Sequence, residues 1–215
     1  MTARTPPRRR DVLGLCAGAP LLSLLSATTS AASPTSALDI RVTDAAGKPV
    51  SGAVVYLESP QAREQVRPLV GAEVAQTERR FVPAVSVVTV GTAVSFPNLD
   101  TVRHHIYSFS PTKRFEIKLY VGTPAAPVVF DQPGIAVLGC NIHDQMAAWI
   151  VVVDTPWFGR TDVSGRWAGA AAPPGRYTLR AWHAALPVGA TPVEQALTVE
   201  PSGVHAEIRL AALKT

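Results

Sequence analysis

Val85-Ser86-Val87-Val88-Thr89-Val90-Gly91-Thr92-Ala93-Val94-Ser95-Phe96-Pro97-Asn98 reads as two strands joined by a tight turn. Val and Thr dominate 85–90, Val94 and Phe96 resume the strand pattern, and Gly91-Thr92 between them is turn chemistry. Outward from this pair of strands the same texture continues, with strands expected at 104–109, 115–120, 127–130, 135–140 and 149–153. Upstream, Leu38, Ile40 and Val42 alternate, Asp44-Ala45-Ala46-Gly47-Lys48-Pro49 turns the chain, and 54–57 resumes a strand. Downstream, two turns (Thr161-Asp162-Val163-Ser164-Gly165 and Pro173-Pro174-Gly175) separate further strands at 177–182, 197–199 and 204–210. Residues 60–75 break the pattern, as a Pro- and Glu-containing loop with at most a short helix. No stretch sustains a 3.6-residue apolar period, so short strands at this spacing predict an all-β sandwich or barrel.

The first 32 residues stand apart. Arg8-Arg9-Arg10 precedes an apolar run at 13–25 and then a small-residue stretch, the order of a signal peptide, with cleavage expected after Ala31 or Ala32. Arg9-Arg10-Asp11-Val12-Leu13 resembles the twin-arginine export signal, which implies a periplasmic destination. The apolar run is too short to span a bilayer, so no membrane span is expected in the mature chain.

This segment also carries most of the charge imbalance. The 215-residue chain has 20 Lys and Arg against 16 Asp and Glu. Arg4, Arg8, Arg9, Arg10 and Asp11 lie in 1–32, leaving 16 basic against 15 acidic residues. A nearly neutral mature surface argues against a nucleic-acid partner. The same cut removes Cys16 and leaves Cys140 as the single cysteine. An unpaired thiol in an oxidising compartment is a liability unless it is buried or holds a metal.

Cys140 sits in Gly139-Cys140-Asn141-Ile142-His143-Asp144-Gln145-Met146, where three ligand-capable side chains recur at steps of three after a strand end. A tight loop turns such residues onto one centre, which a continuing strand cannot do. Thiolate and thioether favour Cu(I), imidazole suits both copper states, and His₂Cys with a weak axial Met is an electron-transfer copper arrangement. His104, opening a strand 36 residues upstream, supplies the second imidazole. The expected metal ligands are therefore His104, Cys140, His143 and Met146, with one copper ion as cofactor. Zinc competes for Cys and His, but Met serves it badly and structural zinc sites usually take more than one Cys. A binuclear copper centre needs a second Cys. His105 alternates with His104 and should face away from it. Met146 could instead fill core, His183 and His205 read as surface or rim residues, the four Trp as packing, and Asp100 and Asp144 as loop-capping acids. With no Gly-x-Ser-x-Gly and no phosphate-cradling Gly-rich loop, the expectation is a protein that is not an enzyme.

The ordered set Phe81-x-Pro83, Val88-x-Val90-Gly91-Thr92-x-Val94-x-Phe96-x-Asn98, His104 and then Cys140-x-x-His143-x-x-Met146 is similar to the type 1 (blue) copper cupredoxins, over residues 76–153. Amicyanin shares the ligand-loop spacing, whereas plastocyanin has two further residues before its Met. The resemblance implies a cupredoxin-like Greek-key β-sandwich and a one-electron carrier with a redox protein partner. Two departures stand out: Asn141-Ile142 replaces a step that contains Pro, and His105 replaces the Asn that braces the two ligand loops. The run His104-His105-Ile106-Tyr107-Ser108-Phe109-Ser110 is similar to exported cupredoxin-like proteins labelled methylamine-utilisation proteins. Residues 38–58 and the tail from 155 resemble two parts of a carboxypeptidase-regulatory, transthyretin-like β-sandwich. The expected organisation is a signal peptide at 1–32, a copper domain at 60–154, and a β-sandwich built from 38–59 with 155–215. A second functional reading is a copper-binding or scaffolding protein whose β module docks a partner while copper is cargo or structural.

Overall fold

A computed structural model describes residues 1–2 and 36–213. The expected signal segment, with its Arg pair, cleavage sites and Cys16, falls outside the described residues apart from its first two. The described residues from Ser36 to Leu213 cluster as one compact unit. Among the described residues no helix is long and apolar enough to cross a membrane.

Strand β1 (Ser36–Asp44) alternates its buried Leu38, Ile40 and Val42 with outward residues, and β2 (Val54–Glu58) is buried along nearly its whole length. Asp44 closes the turn between them by accepting from the amides of Ala46 and Lys48, both at 2.8 Å. A short helix α1 (Pro60–Gln65) follows, capped by Ser59, whose hydroxyl accepts from the Ala62 amide at 3.1 Å. Short strands β3 (Ala72–Glu73), β4 (Ala75–Thr77) and β5 (Arg80–Val82) then lead into β6 (Val85–Thr89) and β7 (Thr92–Ser95). Next come β8 (His104–Ser110), β9 (Lys113–Tyr120), β10 (Val128–Phe130), β11 (Gly134–Gly139) and β12 (Ala147–Val153). The tail holds β13 (Phe158–Arg160), β14 (Arg166–Ala172), β15 (Gly175–Trp182), β16 (Val193–Val199) and β17 (Val204–Leu210). The described residues are all-β apart from α1, as the sequence predicts.

The central strands form a five-stranded sheet in the order β6-β12-β11-β8-β9, faced by a smaller sheet β10-β7-β3. Between them lies one apolar core, with Phe96, Phe130, Ile106, Leu138 and Ile150 fully buried. The first and last parts of the chain make a second pair of sheets, β14-β1-β17 and β13-β2-β15-β16. β1 runs between β14 and β17, and β2 between β13 and β15, so the opening strands occupy the middle of both sheets.

Strand β12 joins the two cores. Ala148, Ile150 and Val152 point into the central core, while Val151 and Val153 point into the core built by the tail. A strand buried on both faces needs a continuous apolar run in place of alternation, which is what 147–153 provides. Trp149, half-buried on the same strand, approaches Trp182 of β15 with ring centroids 6.3 Å apart. Trp157 and Trp167 are buried in the tail core. The four Trp thus pack as expected.

Two strands of the tail were not expected from the sequence. β13 is short, and β14 reads Arg-Trp-Ala-Gly-Ala-Ala-Ala, with no β-branched residue to signal a strand. Pairing with β1 from Leu38↔Gly169 to Arg41↔Arg166 holds β14 extended. The turn before it is set by Asp162, whose carboxylate accepts from the Ser164 and Arg166 amides at 2.8 and 3.0 Å. Gly165 closes that turn at φ 74°, and a Cβ there would lie 2.7 Å from the Val42 carbonyl. Only Gly satisfies both conditions.

Candidate metal centre

Cys140 immediately follows β11, and Met146 immediately precedes β12. These strands pair antiparallel to their ends at Gly139↔Ala147, so residues 140–146 form the closed loop of a hairpin. The Met146 amide donates to the His143 carbonyl at 2.9 Å, giving the loop its internal turn. β8 lies alongside β11 through Tyr107↔Gly139, which brings the start of β8, and His104 with it, to the same end of the sheet. The approach needs Gly139: a Cβ would stand 2.6 Å from the Tyr107 ring.

This arrangement brings His104, Cys140 and His143 together. One ligand atom from each lies within 4.8 Å of the others. Cys140 Sγ is 4.0 Å from His104 Nδ1, and the two imidazole centroids are 5.0 Å apart. His104 is fully buried, and Cys140 is a buried free thiol. Met146 is 2% exposed and belongs to the same buried cluster as Cys140.

The donor set fits a copper ion. His143 Nδ1 is buried with no hydrogen-bond partner, an arrangement that costs free energy unless something occupies the nitrogen. Two imidazole nitrogens and one thiol sulfur converging in an apolar surround match the soft and borderline preferences of copper.

The loop leading into His104 is tightly held. Asn98, buried, donates through its amide to the carbonyls of Val102 and Tyr120 at 2.9 and 2.7 Å and accepts from the Asp100 amide at 3.0 Å. Asp100 caps the turn at Glu78 and Arg79, accepting from their amides at 2.7 and 2.9 Å. Its second role was not expected from the sequence: Asp100 Oδ2 lies 2.8 Å from His104 Nε2. With Nε2 committed to the carboxylate, Nδ1 is the nitrogen left facing Cys140, so the contact fixes both tautomer and ring direction. Burial pushes the Asp100 carboxyl up, but bonds from the Arg79 amide, His104 and the Glu78 amide outweigh it and hold it below the usual carboxylate range. Four-residue spacing to His104 was the available signal, but an acid in a loop has many ordinary uses.

His105 is buried, against Tyr107 at 6.0 Å between centroids, with Nε2 2.9 Å from Glu116 Oε1. It is absent from the His104, Cys140 and His143 group. His205 is exposed against Asp39, and His183 is half-buried with Nδ1 accepting from the Ala185 amide.

No protein-family model and no curated protein sequence matches the chain. Among solved structures it is similar to a purple cupredoxin from Nitrosopumilus maritimus, at 21% identity and TM-score 0.34, over 38% of this chain and 99% of that one. It is similar to a single-residue variant of amicyanin in the reduced state, at 23% identity and TM-score 0.35, over 47% and 99% of the respective chains. A copper-containing nitrite reductase from Thermus scotoductus SA-01 aligns at 22% identity and TM-score 0.36, over 52% of this chain and 28% of that one.

Proposed function

We propose that this chain is an exported type 1 copper protein of the cupredoxin kind that carries single electrons between redox partners and catalyses no reaction itself. The observation that carries the reading is the convergence of His104, Cys140 and His143 in a buried pocket, with His143 Nδ1 left without a partner. Bound copper supplies a one-electron couple. The protein's contribution is a fixed cradle: the β11–β12 hairpin holds Cys140 and His143, and Asp100 orients His104. Ligands that are held before the ion changes charge need little rearrangement when it does. Met146 is assigned the weak axial position.

Loading the purified protein with Cu(II) should give one tightly held ion and an intense visible band from thiolate-to-copper charge transfer. A colourless protein that keeps zinc and refuses copper overturns the reading. Met146→Gln should keep the ion and lower the reduction potential by about 59 mV or more, a tenfold shift of a one-electron equilibrium, because a harder axial donor favours Cu(II). Spectroelectrochemistry measures this. An unchanged potential returns Met146 to core packing.

The export signal is assigned from Arg9-Arg10, with the periplasm as destination. Changing both to Lys should leave unprocessed precursor in the cytoplasm, measured by fractionation and immunoblot. Normal export of that variant points to the general secretory route. The strands of 36–58 and those from 158 onward are assigned to one discontinuous β-sandwich carried beside the copper unit.

A further inference from the structure

The turn between β4 and β5 places Glu78 and Arg79, neither of them Gly, at φ 50° and 56°. Such backbone is uncommon for residues with side chains and persists where the surroundings hold it. Here the holder is Asp100, whose two oxygens accept from the Glu78 and Arg79 amides at 2.7 and 2.9 Å. The Asp100 amide in turn donates to Oδ1 of the buried Asn98 at 3.0 Å. The carboxylate is thus fixed through both its backbone and its oxygens, with Oδ2 set 2.8 Å from His104 Nε2. The His104 side chain is 0% exposed and that of Asp100 is 16% exposed. Three N–H donors around two oxygens suit the ionised carboxylate.

We propose that Asp100 sets the reduction potential of the copper site, as a positioning residue that favours Cu(II) over Cu(I) through the imidazole of His104. The proposal rests on the copper reading above. Charge decides the sign. With the Cys140 thiolate and the Asp100 carboxylate each negative, a Cu(II) site is neutral overall and a Cu(I) site is left with a net negative charge. Without Asp100 the count reverses, and the reduced site is the neutral one. Cys140 and Met146 belong to a buried apolar cluster, where a net charge is costly, so the carboxylate penalises the reduced state. Bonding acts in the same direction. A carboxylate on Nε2–H raises the basicity of the ring, and the nitrogen facing Cys140 becomes a stronger donor to the more highly charged ion. Asp144, in the ligand loop, is exposed, so water and salt screen most of its charge.

Spectroelectrochemistry of the copper-loaded full chain tests this. Asp100→Asn keeps the shape and an oxygen that can accept from His104, but removes the charge. The variant should keep the thiolate-to-copper band. Its Cu(II)-to-Cu(I) affinity ratio should fall tenfold, which raises the potential by about 59 mV. Asp144→Asn, the same loss of charge on an exposed acid, should move the potential less than half as far. An unmoved potential in coloured Asp100→Asn protein overturns the proposal, because a purely structural role would lower thermal stability, or the affinity for both ions alike. Equal shifts in the two variants also overturn it, since the potential would then follow net charge and not the contact with His104. The copper-free wild-type chain gives a second measurement, which stands even where Asp100→Asn fails to fold. Its nitrogen-15 NMR spectrum should show His104 as the Nε2–H tautomer, with a downfield, slowly exchanging proton. The Nδ1–H tautomer overturns the proposal. A colourless copper-loaded wild-type chain instead overturns the electron-carrier reading and leaves the tautomer result standing.

Discussion

Cys140→Ser should abolish the visible charge-transfer band expected of the copper-loaded protein. The band requires a thiolate donor, and a serine hydroxyl does not ionise near neutral pH. The substitution is nearly isosteric at a site 4% exposed, and His104 Nδ1, 4.0 Å from the sulfur, is close enough to partner the new hydroxyl after a small shift. The fold should therefore survive, with an unchanged far-ultraviolet dichroism spectrum. His104 and His143 remain, so weak copper binding persists. Affinity should fall by more than the roughly 10–100-fold attached to outer hydrogen-bond partners of metal ligands. Absorption spectroscopy with a copper titration separates the two effects. A variant that keeps its colour would show that the sulfur is not the donor and that the His104, Cys140 and His143 assignment is wrong.

Removal of residues 36–58 should abolish cooperative folding of the tail. β1 lies between β14 and β17, and β2 lies between β13 and β15, so the deletion takes the middle from two sheets and leaves four new edges. Leu38, Ile40, Val42, Val50, Val54, Val55, Tyr56 and Leu57 leave the core with it. Burying each large apolar side chain contributes about 1.5–3 kcal/mol, which together matches or exceeds the roughly 5–15 kcal/mol that holds a typical domain folded. The loss should reach the central sheets as well, because Val151 and Val153 of β12 lie in the same core. The shortened chain should aggregate or melt without a transition by dichroism and calorimetry. A soluble chain beginning at Ser59 with a sharp melt would show that the tail strands pair among themselves and that the opening strands are an addition.

The strands of the two central sheets were legible because residue preference and tertiary demand agree there. Val-rich runs on either side of Gly91 ask for two strands and a turn whatever surrounds them; β6 and β7 then go to facing sheets instead of pairing as a hairpin. The loop from Cys140 to Met146 was legible for a different reason: three ligand-capable side chains recur at steps of three, and the fold brings two of them, Cys140 and His143, together with His104. β14 was not legible, since Ala and Gly carry no strand preference of their own and its extended form is imposed by β1. Asp100 was read as a capping acid, which it is, but its contact with His104 depends on the path of residues 98–103, held by Asn98 against Tyr120.

By itself the sequence determined the all-β class, the order and spacing of the ligand-capable residues, and the near-neutral charge of the chain beyond its first 32 residues. Each depends on residue identity and short-range spacing, which a linear chain displays directly. Tertiary structure alone decided which strands neighbour which, and so which side chains share a space. It placed β1 and β2 in the middle of the tail sheets, buried both faces of β12, and brought Asp154, Trp149 and Trp182 around one cavity. Those outcomes follow from burying apolar faces contributed by segments far apart in the chain, and no local pattern records which face will meet which.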